Sequence, residues 1–572
     1  MPKAASMAPG AKPQAWLVAL FVLMIVGDAL AAPPTLSQVF PPGGQRGSTV
    51  AVTLTGKFDW PVNVWSPGVD IAAGTDSGKL DITIPADLAT DRIWLRLHSA
   101  EGASNLVPFL IGSLKELTED EPNNSPRKAQ TLESVAVTIN GKLEKADVDG
   151  FLVPLIAGQT LVAAVDANVR LGSPMDAILQ VASPDGTVLA ENHDAVGLDP
   201  RLVFTATKTG PHIVRLFAFP STPDSTIAFR GGSDYVYRLT LTTGPFVSHA
   251  VPLTVSATDP GQVAVHGWNL LADAKLAVMP FGGPRLVDHA ELEPLGELRT
   301  PSEARLGFVF SPEFAGSARV RIVPHEVIAS VPQSDAEHPF ALTLPMAVTG
   351  CLTVPRQRDV YQFALTKGQA VLITAEAESL DFPVDPVLQL LDPQGGEAAE
   401  VDDTGKNRDA VLAHTAKSDG NYRLTVTDRY RHGSPRGFYR LSVRTDQPDF
   451  ELSASADVLV VTPGKPAELT VSVQPRNIGD QNVGPISITA ESLPEGVTLA
   501  QTTTEAKSEG RRSRSSPKVT LTFTASGPAF SGPIRLIGKA TEPQEIQRRV
   551  RTPEKLGATW DSIWLTVTAP AN

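Results

Sequence analysis

The feature that most constrains this chain is an ordered pattern written along it twice. Asp149-x-Phe151-x-Val153 recurs as Asp359-x-Tyr361-x-Phe363, and Gly158-Gln159 recurs as Gly368-Gln369. Asp176-Ala177-Ile178-Leu179-Gln180 is matched by Asp385-Pro386-Val387-Leu388-Gln389, and Pro184-Asp185-Gly186 by Pro393-Gln394-Gly395. Thr209-Gly210-Pro211-His212 matches Asp419-Gly420-Asn421-Tyr422, and Tyr237-Arg238-Leu239 matches Tyr439-Arg440-Leu441. Such a series marks a duplicated structural unit. Both copies alternate apolar and polar residues, as in Tyr422-Arg423-Leu424-Thr425-Val426, so side chains face core and water in turn. The intervening stretches repeat as well. Val50–Gly56 and Gln262–Gly267 each read as a strand ending on a glycine turn. Ile84-Pro85 through Arg92–Arg96 is matched by Phe310-Ser311-Pro312 through Arg319–Ile322.

Composition agrees with many short strands and turns. There are 49 prolines and 45 glycines in 572 residues. The single cysteine, Cys351, excludes an intrachain disulfide framework. A net charge of −13 argues against nucleic acid as a partner. Residues 1–31 read as a targeting segment: Lys3 and Lys12, the apolar run Trp16–Val26, then Ala29-Leu30-Ala31 as a cleavage signal. No later run approaches the ~20 apolar residues of a membrane helix. The chain is therefore expected to be secreted, periplasmic or at the cell surface, with no membrane span once the leader is removed.

Glu121-Pro122-Asn123-Asn124, Asp147-x-Asp149-x-Phe151 and Ala157-Gly158-Gln159 resemble the bacterial pre-peptidase C-terminal domain. The resemblance continues through Met175–Leu179, Ser183–Gly186, Glu191–Asp194, Thr209-Gly210 and Tyr235–Tyr237. It implies non-catalytic β-sandwiches of exported proteins, some of which bind calcium through the acidic linker and also bind polymeric substrate. The first segment, with Val39–Gly47 and Ala103–Asn105, resembles the immunoglobulin-like TIG module. The last, with Leu493-Pro494-Glu495-Gly496-Val497, resembles other immunoglobulin-like modules. The expected fold is all-β, a tandem array of immunoglobulin-like and jelly-roll-like sandwiches. Its expected domains are 33–113 (TIG-like), 119–245 (first pre-peptidase C-terminal-like copy), 250–335 (immunoglobulin-like), 337–446 (a degenerate second copy) and 449–570 (immunoglobulin-like).

The two copies differ in chemistry. Oxygen-rich Glu119–Ser125 with Asp147-x-Asp149 suits a hard cation, which takes six to eight oxygens at ~2.3–2.6 Å. Carried over from the family by position, the calcium ligands are Glu119, Glu121, Asn123, Asn124, Asp147 and Asp149. The second copy has Glu337-His338-Pro339 and Arg356-Gln357-Arg358-Asp359 instead, and two arginines beside such a pocket repel a divalent ion. Calcium is expected in the first copy only. The competing reading is a solvated acidic linker with an Asp that caps a turn. A second acidic group, Asp185, Asn192, Asp194 and Asp199, with counterparts Asp402, Asp403 and Asp409, is expected to hold loops through backbone hydrogen bonds.

Catalytic signatures are missing from the sequence: no Gly-x-Ser-x-Gly elbow, no His-Glu-x-x-His, no phosphate-cradling loop before a helix. The expectation is a non-enzyme. His212 reads as a strand residue and Cys351 as a small hydrophobe. Trp60 and Trp65 frame a stretch that could present rings to a sugar or polymer. Core burial is the weightier reading for them, as for Trp560 and Trp564, which are read as sharing one side of a strand. The basic run Arg511–Lys518 reads as an exposed loop. The functional expectation is a modular protein that binds or scaffolds extracellular polysaccharide or protein polymer, one copy stiffened by calcium. The alternatives are an accessory of an exported peptidase system and a cryptic hydrolase.

Overall fold

Alternation along the strands makes two-faced sheets, and each must bury its apolar face against another. The computed structural model describes residues 32–570 except 223–227, 259–260, 272–273, 281–304, 330–333, 405–407, 479–480, 501 and 504–516. The targeting segment and nearly all of the basic run therefore lie outside the described residues. Ten sheets pair off into five sandwiches, modules 1 to 5 in chain order, each around its own apolar cluster. The chain is all-β, with one short helix at Asn168–Leu171 and one 3₁₀ turn at Glu378–Leu380 among the described residues.

Modules 2 and 4 share one plan, strand for strand. In module 2 one sheet runs in the order 130–131, 149–155, 210–220, 175–182, 188–192, and module 4 answers with 340–341, 359–365, 420–428, 386–391, 397–401. The facing sheets run 201–205, 160–166, 236–242, 136–142, 115–118 and 410–415, 370–376, 438–445, 346–351, 327–328. Register is kept too: Asp149 lies opposite Leu216 and Leu155 opposite Gly210, as Asp359 lies opposite Val426 and Leu365 opposite Gly420. Sheet membership draws Lys115–Thr118 into module 2 and Val327–Ile328 into module 4. Phe246–Val251 belongs to module 3.

The modules are joined by buried charge. Asp91 of module 1 is met by Arg170 of module 2 at 2.9 Å and by Arg319 of module 3 at 3.1 Å. Burial opposes its charge, but Arg319, Arg170 and Arg92 outweigh that and hold the carboxyl well below its usual range. Glu376 of module 4 pairs with Arg321 of module 3 at 2.9 Å and with Arg440. Burial again works upward, and the two arginines still bring it down to about 2.

The first and last modules also meet. Trp94 packs edge-on against Trp560 at 4.9 Å, and Trp65 against Trp564 at 5.7 Å. Trp560 precedes the strand Ile563–Val567 instead of sharing it with Trp564, and both rings turn towards module 1. Arg96, 1 % exposed, pairs with Asp457 and donates to its carbonyl at 3.2 Å. Arg92 donates to the Leu556 carbonyl at 3.0 Å. Trp560→Ala should therefore cost ~3–5 kcal/mol, the range for emptying a buried aromatic site. Calorimetry should show modules 1 and 5 unfolding together in the wild type and separately in this variant; an unchanged single transition would mean that the seam contributes nothing.

Candidate metal centre

The strand Lys115–Thr118 runs parallel to Ala136–Lys142, and one further backbone bond, Glu119 N to Asn140 O at 3.0 Å, carries Glu119 onto its end. The Glu119 carboxylate turns inward, where Oε1 accepts from Lys142 N at 2.6 Å and Oε2 from the Tyr237 hydroxyl at 2.8 Å. Gly141 makes the room: a Cβ there would stand 2.2 Å from the Tyr237 ring and 2.4 Å from Glu119 Oε2. Gly350 repeats this against Tyr439, also at 2.2 Å.

Asp149 opens the next strand and is fully buried. Its Oδ2 lies 2.5 Å from the same Tyr237 hydroxyl, so the two carboxylates compete for one proton, while Oδ1 has no protein partner. Glu121, on the exposed side, accepts from Asn123 N at 2.7 Å. Glu119, Glu121 and Asp149 each offer an oxygen within 4.8 Å of the others. A phenol has one proton and cannot donate to two carboxylates at once. Burial, then the charge of Glu119, push Asp149 up to about 10. Burial raises Glu119 and Glu121 as well. Without added positive charge the pocket must hold a proton. A divalent cation removes that need, and oxygens that already accept one hydrogen bond keep a lone pair for it.

The other three expected ligands sit around this group. Asn123 is buried, and its Oδ1 accepts from Gly150 N at 3.1 Å, tying the linker to the strand. Its Nδ2 has no hydrogen-bond partner. Asp147 accepts from Val148 N at 2.9 Å, from Glu144 N at 3.3 Å and from the Asn124 amide. Asp147 still faces Glu121, and its charge adds to the upward push there, after burial. The six residues thus divide into a three-carboxylate centre and a frame of two amides and one carboxylate.

Module 4 meets the same position with hydrogen-bond donors. Gln357 stands where module 2 has Asp147, and its amide donates to Asp359 Oδ1 at 2.8 Å and to Cys351 O at 2.9 Å. Asp359 Oδ2 accepts from Tyr439 at 2.6 Å, and that hydroxyl meets Tyr361 at 2.7 Å. Phe151 holds the Tyr361 position in module 2. The arginines that sequence reasoning placed against a metal, Arg356 and Arg358, are exposed. The groups that satisfy Asp359 are the amide and the phenol. The Tyr-Arg recurrence, Tyr237-Arg238 and Tyr439-Arg440, was the available signal for this, and its first member was overlooked as a site residue.

Several of the other singled-out residues have local partners. Asp199 accepts from the amides of Ala167, Asn168 and Val169 at 2.7–3.2 Å, and Asp409 from Ala377 N at 2.9 Å, so both hold loops. Asn192 accepts from Arg201 N at 2.9 Å. His212 lies in the strand Gly210–Pro220. Cys351 is half-buried, and burial followed by the charge of Asp359 pushes its thiol up to about 11. Trp60 is half-buried against the module 1 core, and Trp65 lies in the seam with module 5.

Residues 357–428 match the family model of the bacterial pre-peptidase C-terminal domain. The match falls on the copy that has exchanged its pocket carboxylate for Gln357. No curated protein matches the chain. A solved pre-peptidase C-terminal domain of collagenase from Bacillus anthracis aligns at 22 % identity over 20 % of this chain and 99 % of its own, TM-score 0.16. The M60 catalytic domain with two CBM51 domains from Clostridium perfringens ZmpB aligns at 10 % identity over 73 % of this chain and 55 % of its own, TM-score 0.14. Escherichia coli alpha-2-macroglobulin in its native conformation aligns at 9 % identity over 95 % and 47 %, TM-score 0.14. Within the fourth module, residues 357–428 thus match the bacterial pre-peptidase C-terminal domain, and the second module has the same ten-strand plan around a different pocket.

Proposed function

We propose that this chain is an exported, non-catalytic modular protein that presents β-sandwich surfaces to extracellular polymer or protein, with calcium at Glu119, Glu121 and Asp149. The observation that carries the metal reading is Asp149 Oδ1, buried without a partner beside two further carboxylates. When bound, the ion supplies positive charge that lets all three carboxylates ionise together. This chain's own residues do the positioning: Tyr237 and Lys142 N orient Glu119, and Asn123 clips the linker to Gly150. The linker follows Lys115–Thr118, the strand that module 2 takes up directly after module 1 ends at Gly112, so closing the pocket secures that strand and, through it, the joint between modules 1 and 2. Arg238 already bridges that joint, contacting Glu116 and lying against Gly43 of module 1. Non-catalysis is supported by the sandwich architecture and by the family match of module 4.

Calcium at a hundredfold excess over its Kd should stabilise module 2 by about 2.7 kcal/mol. Scanning calorimetry with calcium and with chelator reads this as an upward shift of one transition. Glu121→Ala with Asp149→Ala should abolish the shift, and Asp359→Ala should leave it intact; a calcium response that survives the double variant would place the ion elsewhere.

The pH dependence follows from Asp149, raised from the ordinary carboxylate range to about 10 by burial and Glu119. Its protonated form contributes stability that is present below the unfolded value and lost as pH rises towards 10. Chelated protein should thus melt progressively lower from pH 6 to about 9, and the calcium-induced shift should grow over the same window. Asp149→Asn should flatten the slope of the chelated protein, which urea denaturation across pH would measure directly.

A further inference from the structure

The end of the sandwich that gathers carboxylates in module 2 carries cations in module 4. The turn is the same in both: Ala146 and Arg356 occupy it at φ 61° and 64°. Positions held by Glu144, Ala146 and Val148 carry Val354, Arg356 and Arg358. Alanine satisfies this left-handed turn in module 2, so the backbone does not call for arginine in module 4. The loop 428–433 packs directly on it. Arg356 N donates to Arg431 O at 3.0 Å, and a Cβ on Gly433 would stand 2.2 Å from the Val354 carbonyl carbon. Asp428 pins that loop, accepting from His432 N at 2.8 Å and from Asp385 N at 3.0 Å.

Arg356, Arg358 and Arg431 are exposed, and none has an ion-pair partner among the described residues. Their neighbour Arg429 differs, being paired with Asp402. Tyr430 precedes Arg431 in the same loop, 63 % exposed, with its ring stacked on His432 at 5.9 Å and 21°. In a chain with 62 acidic and 49 basic residues, three adjacent arginines left without a carboxylate are set up for an anion from outside. Repulsion from the chain's net charge is screened beyond about 8–10 Å, so the local surface decides.

We propose that this surface binds an acidic polysaccharide. The arginine forks take uronate carboxylates, and the Tyr430 ring takes the apolar face of a sugar. A polymer that alternates carboxylates with flat C–H faces matches a loop pair that carries cations and an exposed phenol; an acidic protein segment offers the charges without the faces. The inference rests on the polymer-presenting role proposed above and names its ligand class.

The test is titration calorimetry of the full chain with polygalacturonate, with dextran and with a single-stranded DNA oligonucleotide, at low and high salt. Polygalacturonate should bind, more weakly as salt rises, and dextran should not. Arg356→Ala, Arg358→Ala and Arg431→Asn together should lower affinity at least roughly tenfold with unchanged melting, alanine being native to that turn in module 2 and asparagine tolerating left-handed backbone. Tyr430→Ala should weaken binding several-fold, and chelator should not alter it. Undiminished binding by the triple variant, or loss of binding on chelation, would overturn this site while leaving the polymer-presenting role standing. Tighter binding of the oligonucleotide than of polygalacturonate would overturn the glycan assignment. Absence of polygalacturonate binding would overturn the proposal outright.

Discussion

Asp91 is the group on which the arrangement of this chain depends. It belongs to module 1 and is nearly buried, yet its two cationic partners come from modules 2 and 3. A carboxylate taken out of water is costly unless paired, and removing one partner of such a pair costs ~3–5 kcal/mol. The charge is thus tolerable only where three modules converge, which makes it a specificity device as much as a source of stability. Arginine suits the task, since its fixed fork serves two acceptors at once: Arg170 spans Asp91 and Asp166. Isolated sandwiches joined by short linkers would be free to swivel. Here a wrong approach strands a buried ion.

The same logic is repeated within the duplicated pair of modules. Arg238 and Arg440 follow the pocket tyrosine in each copy, and alternation sends the two side chains to opposite faces of one strand. The tyrosine reaches the carboxylate inside the sandwich. The arginine reaches outward: Arg238 lies against Gly43 of module 1, and Arg440 donates to Thr254 of module 3 at 2.9 Å. Two adjacent residues therefore couple the interior of one module to the surface of the module before it. Whatever fixes Tyr237 in place also bears on how module 1 sits against module 2.

The repeat was legible because strand alternation and turn glycines are local properties, and they predicted both the all-β class and the pairing of modules. The three carboxylates that converge were among the six residues named from the linker and the Asp pair. What stayed hidden is long-range. Arg96 and Asp457 are 361 positions apart, and nothing local in either marks it as half of a buried pair. Trp65 sits in a short Pro-punctuated stretch that could present a ring outward, and nothing near it in sequence names a partner; that partner, Trp564, arrives from the other end of the chain. The role of Gln357 was hidden for a different reason. An amide reads as a lost ligand in sequence, and only the geometry shows that it donates into the place of a positive charge.

That replacement explains how module 4 satisfies its buried carboxylate with its own donors while the pocket of module 2 stays incomplete. In module 2 a single phenol faces two carboxylates, so the pocket is short of positive charge or of protons. In module 4 the carboxylate is one, both its oxygens are hydrogen-bonded, and a second phenol completes the chain of donors. A buried polar network in which every member is satisfied is stable by itself; one left incomplete is not. Arg356 and Arg358 stand where module 2 has Ala146 and Val148, so beside this self-sufficient interior the turn carries cations on a backbone that alanine fills in the other copy.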